Sequence, residues 1–215
     1  MGSRHHVLFV NALTFSRVPF IFAFAVCAVA AELRDSPWFA VAACVLMFIA
    51  AISDFFDGML ARRWNVVSRF GKMADPLMDK VFFIVSFPTL LWLAGAQGGT
   101  NFHTILLLAF TVLYILRDQW VTFLRAVASV YGADVGAMWL GKVRTALSFP
   151  AAGVIYIYLA FHKPWPAAVD MTCLHVLYAV EIALIALNAY SSYAYTRAYA
   201  VYLRKAISNK EKDNA

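Results

Sequence analysis

Four aspartates stand at helical spacing near the middle of this 215-residue chain. Asp54 and Asp57 are three residues apart, and Asp75 and Asp79 are four residues apart. Because an α-helix turns by about 100° per residue, the members of each pair share one helical face. Four carboxylates that converge in a poorly solvated place repel one another, so we expect a cation to be held between them. Oxygen ligands without a neighbouring Cys or His favour Mg²⁺, Mn²⁺ or Ca²⁺ over zinc.

Small residues and one arginine accompany the first pair of aspartates. Their helical face also carries Gly58, Ala61 and Arg62, and the basic turn that follows contains Gly71. Small residues let a ligand approach the backbone closely, and a guanidinium group forms paired hydrogen bonds with phosphate. Carboxylates, a divalent cation, a bare helical surface and an arginine together indicate a substrate that contains pyrophosphate.

A structural interpretation of the same aspartates is also open. Asp54 and Asp57 can solvate the end of one helix, while Asp75 caps the start of the next helix before Pro76, a favourable residue in the first turn. The capping role of Asp75 is compatible with a role as a ligand.

The pattern from Asp54 to Asp79, D-x2-D-G-x2-A-R-x8-G-x3-D-x3-D, resembles the signature of the CDP-alcohol phosphatidyltransferases at every specified position. The resemblance implies that Asp54, Asp57 and Asp75 hold one or two Mg²⁺ or Mn²⁺ ions on the pyrophosphate of CDP-diacylglycerol. It implies that Asp79 is the general base toward the acceptor hydroxyl and can also touch a metal ion. In this segment it assigns the binding of CDP-diacylglycerol to Gly58, Ala61, Arg62 and Gly71.

The first apolar segment carries three polar residues at threefold spacing, Asn11, Thr14 and Arg17. They fall on one face near one end of the predicted helix. Hydrogen bonding between helices with snorkelling of Arg17 explains them as well as direct contact with substrate does. The motif N-x-L-T-x-x-R resembles the start of bacterial phosphatidylglycerophosphate synthases and related enzymes, which implies that Asn11 and Thr14 contact CDP-diacylglycerol.

Two arginines, Arg117 and Arg125, stand two helical turns apart in the fourth apolar segment. Buried cations need anionic partners, so we expect at least one of them to await the phosphate of an acceptor. The alternative is that the neighbouring Asp118 satisfies one of them internally.

Two further cations, Lys142 and Arg144, lie at the predicted start of the fifth helix, in the run Gly141 to Thr145. Backbone N–H groups, the helix dipole and these cations would form an anion site there. Alternatively, the two cations only keep this loop on the inner side of a membrane.

The run from Arg117 to Arg125 and the run from Gly141 to Thr145 resemble the R-E-x-x-x-S-x-L-R and G-K-x-K-T segments of phosphatidylglycerophosphate synthases. The departures are Asp118, Thr122 and Arg144. The resemblance implies that the phosphate of sn-glycerol 3-phosphate is bound by Arg117, Arg125, Lys142 and Arg144, and that the products are phosphatidylglycerophosphate and CMP. Phosphatidylglycerol, as in cardiolipin synthases, and inositol phosphate are alternative acceptors.

A function of a different class also fits part of the pattern. A small cation-coupled transporter would place carboxylates inside a six-helix bundle. Against it, the aspartates cluster toward one predicted membrane face, and no inverted repeat is evident.

The composition indicates the elements that must position these residues. The chain is 63% hydrophobic and only 14% charged, which is typical of a membrane protein. A spanning helix needs about 20 apolar residues. Six segments qualify: 7–31, 38–60, 76–94, 102–130, 143–161 and 173–202. We therefore predict an all-α membrane protein with six transmembrane helices in one bundle, forming a single domain over 1–207 and a polar C-terminal tail over 208–215.

Lysines and arginines concentrate at one end of the predicted bundle. That end collects the four basic residues between 62 and 72, the two cations at the start of the fifth helix, and the C-terminal basic residues, whereas the other end has only Arg34 and Lys163. The bias predicts cytoplasmic termini and a site facing the cytoplasm, in the inner membrane. The net charge of +6 is explained by attraction to anionic lipid, and no nucleic-acid motif is present. The family resemblance implies a homodimer.

Overall fold

The six predicted segments form six α-helices in the computed structural model. It describes the backbone of residues 2–64, 69–98, 101–133, 136 and 138–212, and the side chains of these residues except 2–4, 7, 54–55, 57–58, 61–62, 69–76 and 209–212. The helices are α1 (Gly2–Arg34), α2 (Pro37–Arg63), α3 (Arg69–Gly98), α4 (Phe102–Val130), α5 (Trp139–Phe161) and α6 (Ala167–Lys212). Within these described ranges there is no β-strand, so the all-α prediction is confirmed.

Most helices are longer than the apolar segments that predicted them. The difference lies at polar ends, where a helix continues beyond its apolar stretch, and it is largest in α6, which has 46 residues. Among the described residues, five helices are long and apolar enough to cross a membrane, and α2 contributes a shorter apolar stretch over Pro37–Ser53. These properties suit a multi-pass membrane protein.

Short turns make neighbouring helices antiparallel. Only two residues separate α1 from α2, and Asp35 in that turn has a φ of 46°, in the left-handed region.

At the start of α4, the side chain of Asn101 caps the helix by accepting a hydrogen bond from the backbone N–H of Thr104 at 2.8 Å.

Contacts between distant helices give the directions of the other pairs. α1 runs parallel to α3, since Arg17 meets Asp79 and Glu32 meets Gln97 further along both helices. The start of α5 meets the later part of α6, which makes that pair antiparallel. As a result, one end of the bundle holds the first residues of α1, α3 and α5. The same end holds the last residues of α2, α4 and α6.

Aromatic side chains pack α3, α4 and α5 together in the interior. The ring of Phe83 lies 4.8 Å from that of Tyr114 and 4.6 Å from that of Phe149. Phe87 continues the cluster toward Phe110, with ring centroids 4.7 Å apart. This cluster forms a rigid base beneath the site described below.

Large apolar side chains cover much of the outside of the bundle. Trp38 is 82% exposed, Val26 69% and Phe48 65%. Exposed apolar surface on this scale is unusual for a water-soluble monomer and suits helices that face lipid.

Candidate active site

A cavity of about 640 Å³ opens at the end of the bundle where α3 and α5 begin and α4 and α6 end. We call it the cationic cavity. Its ionisable lining residues are Asp79, Lys80, Arg117, Asp118, Arg125, Lys142 and Arg144, and Tyr195 completes the polar wall. The structure thus brings together the predicted general base and all four residues that were predicted to bind the acceptor phosphate.

Asp79 is paired with a cation from α1. Nη1 of Arg17 donates a hydrogen bond to Oδ1 of Asp79 at 2.9 Å. The Arg17 side chain is 1% exposed, whereas that of Asp79 is 33% exposed. A buried guanidinium therefore holds a carboxylate that reaches the cavity, and such charge-assisted bonds are short and directional.

Asp118 connects cations from two other helices. Its Oδ1 accepts a hydrogen bond from Nη2 of Arg144 at 3.0 Å, and its Oδ2 lies 3.3 Å from Nζ of Lys80. Oδ1 is 3.6 Å from Nη1 of Arg117, a longer contact. Asp118, the predicted internal partner of Arg117 or Arg125, is therefore shared among several cations. Its closest contact is with Arg144 on α5.

Three arginines of the cavity also bond to neutral groups on α6. Nη1 of Arg144 donates to Oδ1 of Asn188 at 3.2 Å. Arg117 donates to Oγ of Ser191 through Nη2 and also through Nε, the latter at 3.1 Å. Nη2 of Arg125 donates to the hydroxyl of Tyr195 at 3.0 Å.

The Tyr195 side chain has further contacts that fix this wall. Its hydroxyl also accepts a hydrogen bond from the backbone N–H of Met138, directly before α5, at 2.9 Å. The guanidinium carbons of Arg117 and Arg125 lie 4.8 and 5.3 Å from its ring centre. Both distances are within the range of cation–π attraction. On the opposite wall, Arg144 lies over the ring of Tyr114 at 4.0 Å.

The cavity carries excess positive charge. The described lining residues include five cationic side chains and two carboxylates, a net of three positive charges from that part of the chain. Among the described residues, Nε of Arg125 and Nε of Arg144 are buried and have no hydrogen-bond partner. Lys142 pairs with no carboxylate in that part of the chain. Because the described lining carries more cations than carboxylates, the cavity is suited to an anion.

Most of the residues that were predicted to bind CDP-diacylglycerol or the metal ion lie outside the described side chains. These are the side chains of Asp54, Asp57, Gly58, Ala61, Arg62, Gly71 and Asp75, which belong by sequence to α2 and α3. Asn11 and Thr14 lie on α1, where the buried hydroxyl of Thr14 donates to the carbonyl of Val10 at 3.2 Å. Their assignment to CDP-diacylglycerol stays a prediction.

The predicted metal ligands belong to the end of α2 and the start of α3. Among the described residues, no group of three or more His, Cys, Asp or Glu side chains could hold an ion. Of the four predicted ligands, only Asp79 has a described side chain, and its carboxylate reaches the cavity. Asp75 precedes it by one helical turn in α3, so the oxygen-donor set fits a hard divalent cation by its chemistry.

A second, apolar depression of about 600 Å³ lies between α2 and α5. We call it the apolar groove. Phe48 and Val154 line it and are exposed on the outside of the bundle. Phe149 lines both the groove and the cationic cavity, so the apolar and the charged surface adjoin at this residue.

Several site residues were not predicted from the sequence. Arg17 was noted for its place in an apolar segment but not assigned to the site, and Lys80 was not singled out. The polar residues of α6, Asn188, Ser191 and Tyr195, were missed, although polar residues at offsets of three and seven inside an apolar helix are a detectable signal.

Comparison with known proteins adds a family. Residues 7–187 match the family described as CDP-alcohol phosphatidyltransferase. The chain is 33% identical over 116 residues to the CDP-diacylglycerol–glycerol-3-phosphate 3-phosphatidyltransferase of Escherichia coli (strain K12), covering 53% of this chain and 59% of the relative. The same values hold for the protein of that name from Shigella sonnei (strain Ss046). The match thus spans somewhat more than half the length of these relatives.

Proposed function

Since the chain belongs to the CDP-alcohol phosphatidyltransferase family, we propose that it transfers a phosphatidyl group from CDP-diacylglycerol to sn-glycerol 3-phosphate. The products are phosphatidylglycerophosphate and CMP. The observation that carries the choice of acceptor is the cationic cavity, in which three arginines and two lysines surround the predicted base. The name of the relative from Escherichia coli supports the same acceptor.

The charge of the cavity favours a phosphomonoester as the acceptor. A phosphomonoester carries close to two negative charges at neutral pH, whereas the phosphodiester of phosphatidylglycerol carries one. A neutral alcohol would leave the arginines of the cavity uncompensated. The excess of cations among the described lining residues therefore supports a small, doubly charged molecule such as glycerol 3-phosphate.

The reaction assigns a separate role to each described group. Asp79 accepts the proton of the acceptor hydroxyl, and Arg17 holds its carboxylate in position. The hydroxyl oxygen bonds to the phosphorus that bears diacylglycerol, and the bond from that phosphorus to the CMP oxygen breaks. Arg117, Arg125, Lys142 and Arg144 hold the acceptor phosphate, so the hydroxyl is presented to the base rather than to water.

The donor pyrophosphate is assigned to the other aspartates. Asp54, Asp57 and Asp75 would hold Mg²⁺ or Mn²⁺, and the ion would supply positive charge to neutralise the pyrophosphate and make CMP a better leaving group. Gly58, Ala61 and Gly71 shape the nucleotide site, Arg62 binds the diphosphate, and Asn11 and Thr14 extend this site toward α1.

The apolar groove supports a lipid donor. It adjoins the cationic cavity at Phe149 and has a mostly apolar lining, of which Phe48, Phe56 and Val154 are exposed on the outside of the bundle. Acyl chains could lie there, in continuity with the bilayer, while the headgroup reaches Asp79. We further propose that the cavity faces the cytoplasm, where glycerol 3-phosphate and CMP exchange with water, and that the protein is a homodimer in the inner membrane.

The experiment uses the full chain in vesicles with CDP-diacylglycerol and a panel of acceptors: glycerol 3-phosphate, phosphatidylglycerol and inositol phosphate. We expect CMP release with glycerol 3-phosphate, abolished by EDTA and restored by Mg²⁺ or Mn²⁺, and a lipid product with the mass of phosphatidylglycerophosphate. Product formation with another acceptor alone would reassign the substrate. Cation flux in the absence of any CDP-lipid turnover would support the transporter instead.

A further inference from the structure

One face of α6 supplies neutral oxygen acceptors to the arginines of the cationic cavity. Asn188, Ser191 and Tyr195 are separated by three and then four residues, so they share a helical face. Each accepts a hydrogen bond from a different arginine, at distances between 2.5 and 3.2 Å. All three side chains are buried, with exposures of 1%, 0% and 1%. We call this set the α6 ladder.

The charge of the group that accepts the hydrogen bond determines how much of the arginine's positive charge remains for a ligand. A carboxylate would satisfy the N–H donors and also neutralise the guanidinium charge. An amide or hydroxyl oxygen satisfies donors and leaves the charge in place. Because Arg117 and Arg144 are themselves buried, water screens their charge only weakly, and that charge acts strongly on a ligand in the cavity.

The same face of α6 does carry a carboxylate elsewhere. Glu181 is seven residues before Asn188 and is completely buried. Its Oε1 lies 3.1 Å from Nδ1 of His103, far from the cavity along α4. The helix can therefore accommodate an acidic residue on this face, yet it presents only neutral oxygens where it meets the three arginines.

We propose that the α6 ladder is a positioning device that sets the specificity of the cavity for a doubly charged phosphomonoester. It orients Arg117, Arg125 and Arg144 through hydrogen bonds while preserving their charge for the ligand. Asp118 is the acidic partner of Arg144. Because the ladder adds no second negative charge, the remaining positive charge of the arginines is available to the ligand. This inference rests on the proposed function for the identity of the ligand, which is the acceptor phosphate.

The decisive variants are Asn188→Asp and Asn188→Ala, made in the full chain. Both lose the bond that Nδ2 of Asn188 donates to the carbonyl of Leu184, so they are matched in that respect. Asn188→Asp keeps an oxygen for Arg144 but adds a negative charge, whereas Asn188→Ala removes the oxygen and leaves the charge of the arginine. We expect Asn188→Asp to weaken binding of glycerol 3-phosphate about ten- to a hundredfold, the value of a charge-assisted bond, and Asn188→Ala to weaken it less.

Binding of glycerol 3-phosphate to the purified protein, without donor, is the first measurement, and the KM values of both substrates are the second. The KM of CDP-diacylglycerol should not change in Asn188→Asp. Thr172→Asp is the control, since it adds the same charge to α6 at an exposed position near its beginning. A ladder that serves only packing predicts the opposite order, with Asn188→Ala the more harmful change, and that order would overturn the inference.

The two proposals fail in different ways. Wild-type protein that binds glycerol 3-phosphate but releases no CMP from CDP-diacylglycerol contradicts the proposed function and leaves the ladder intact. Wild-type protein that releases CMP while Asn188→Asp retains both its affinity and its KM for glycerol 3-phosphate contradicts the ladder alone. If wild-type protein binds no glycerol 3-phosphate, the inference about the α6 ladder is contradicted, because that inference assigns this ligand to the cavity.

Discussion

Nη1 of Arg17 donates a hydrogen bond to Oδ1 of Asp79 across 62 positions of sequence, at 2.9 Å. The pair joins α1 to α3 at the edge of the cationic cavity. Its burial is unequal, because the guanidinium is enclosed in the bundle and the carboxylate is partly accessible from the cavity. In the proposed reaction, Arg17 therefore acts through Asp79, as a positioning residue.

Replacing Arg17 by Met should lower kcat about 10- to 100-fold, since a small displacement of a reacting group has effects of that size. The KM of CDP-diacylglycerol should change less than kcat. Arg17→Lys, which keeps the charge, should recover part of the loss. The matched control is Arg34→Met at the opposite end of α1, and steady-state kinetics in vesicles would measure all three variants. A normal kcat in Arg17→Met would remove the positioning role.

Asp79→Asn should abolish turnover while CDP-diacylglycerol still binds, because the base is lost and the other predicted metal ligands remain. The amide oxygen can still accept from Arg17, but the charge of the buried guanidinium is no longer compensated. We therefore also expect a lower free energy of unfolding, because the buried guanidinium keeps a hydrogen bond but loses its opposite charge. If donor binding falls in parallel with turnover, Asp79 is chiefly a metal ligand.

Arg117→Ala and Arg144→Ala should each raise the KM of glycerol 3-phosphate about ten- to a hundredfold and that of CDP-diacylglycerol much less. Both guanidinium groups line the cavity and are buried, so we expect each to contribute strongly to the binding of an anion. Arg197→Ala, on the exposed side of α6, is the control. The reverse order of effects on the two KM values would move these arginines to the nucleotide site.

Gly141→Ala should disturb the cavity, since a Cβ at this position would lie 2.8 Å from the Tyr195 hydroxyl and 3.4 Å from Nη2 of Arg117. One of these groups must shift, and either shift affects the wall that faces the phosphate. We expect a higher KM for glycerol 3-phosphate. Gly95→Ala is the contrast: no described atom lies within 4 Å of its Cβ, and alanine in a helix gains about 0.5–1 kcal/mol over glycine. Unchanged acceptor kinetics in Gly141→Ala would show that the wall adapts.

The buried His103 and Glu181 pair should matter for stability and not for catalysis. Removing one member leaves the other buried without the polar neighbour that lies 3.1 Å away, whereas replacing both by apolar residues is often much less harmful. Glu181→Leu should therefore unfold at a clearly lower temperature than the double variant His103→Leu/Glu181→Leu. Thermal unfolding in detergent tests the order, and kinetics should show unchanged KM values in the folded protein. Additive losses in the double variant would contradict the coupling.

The sequence by itself determined the helical segments and the group of residues that could bind phosphate. Each of these inferences depends on local information: an apolar stretch long enough to span a membrane, a repeat of three or four residues on one helix, or a motif within a short run. This is why Arg117 and Arg125 were correctly expected on one face, and why Lys142 and Arg144 were expected near the start of α5.

Only the tertiary structure decided how the helices supply partners to one another. Arg17 meets Asp79, Asp118 has its closest contact with Arg144 on α5, and Tyr195 joins Arg125 to the start of α5. These partners come from different helices, and the rotation and axial offset of one helix against another depend on the packing of the aromatic core. Helical periodicity places a side chain on a face but does not say which helix that face will meet.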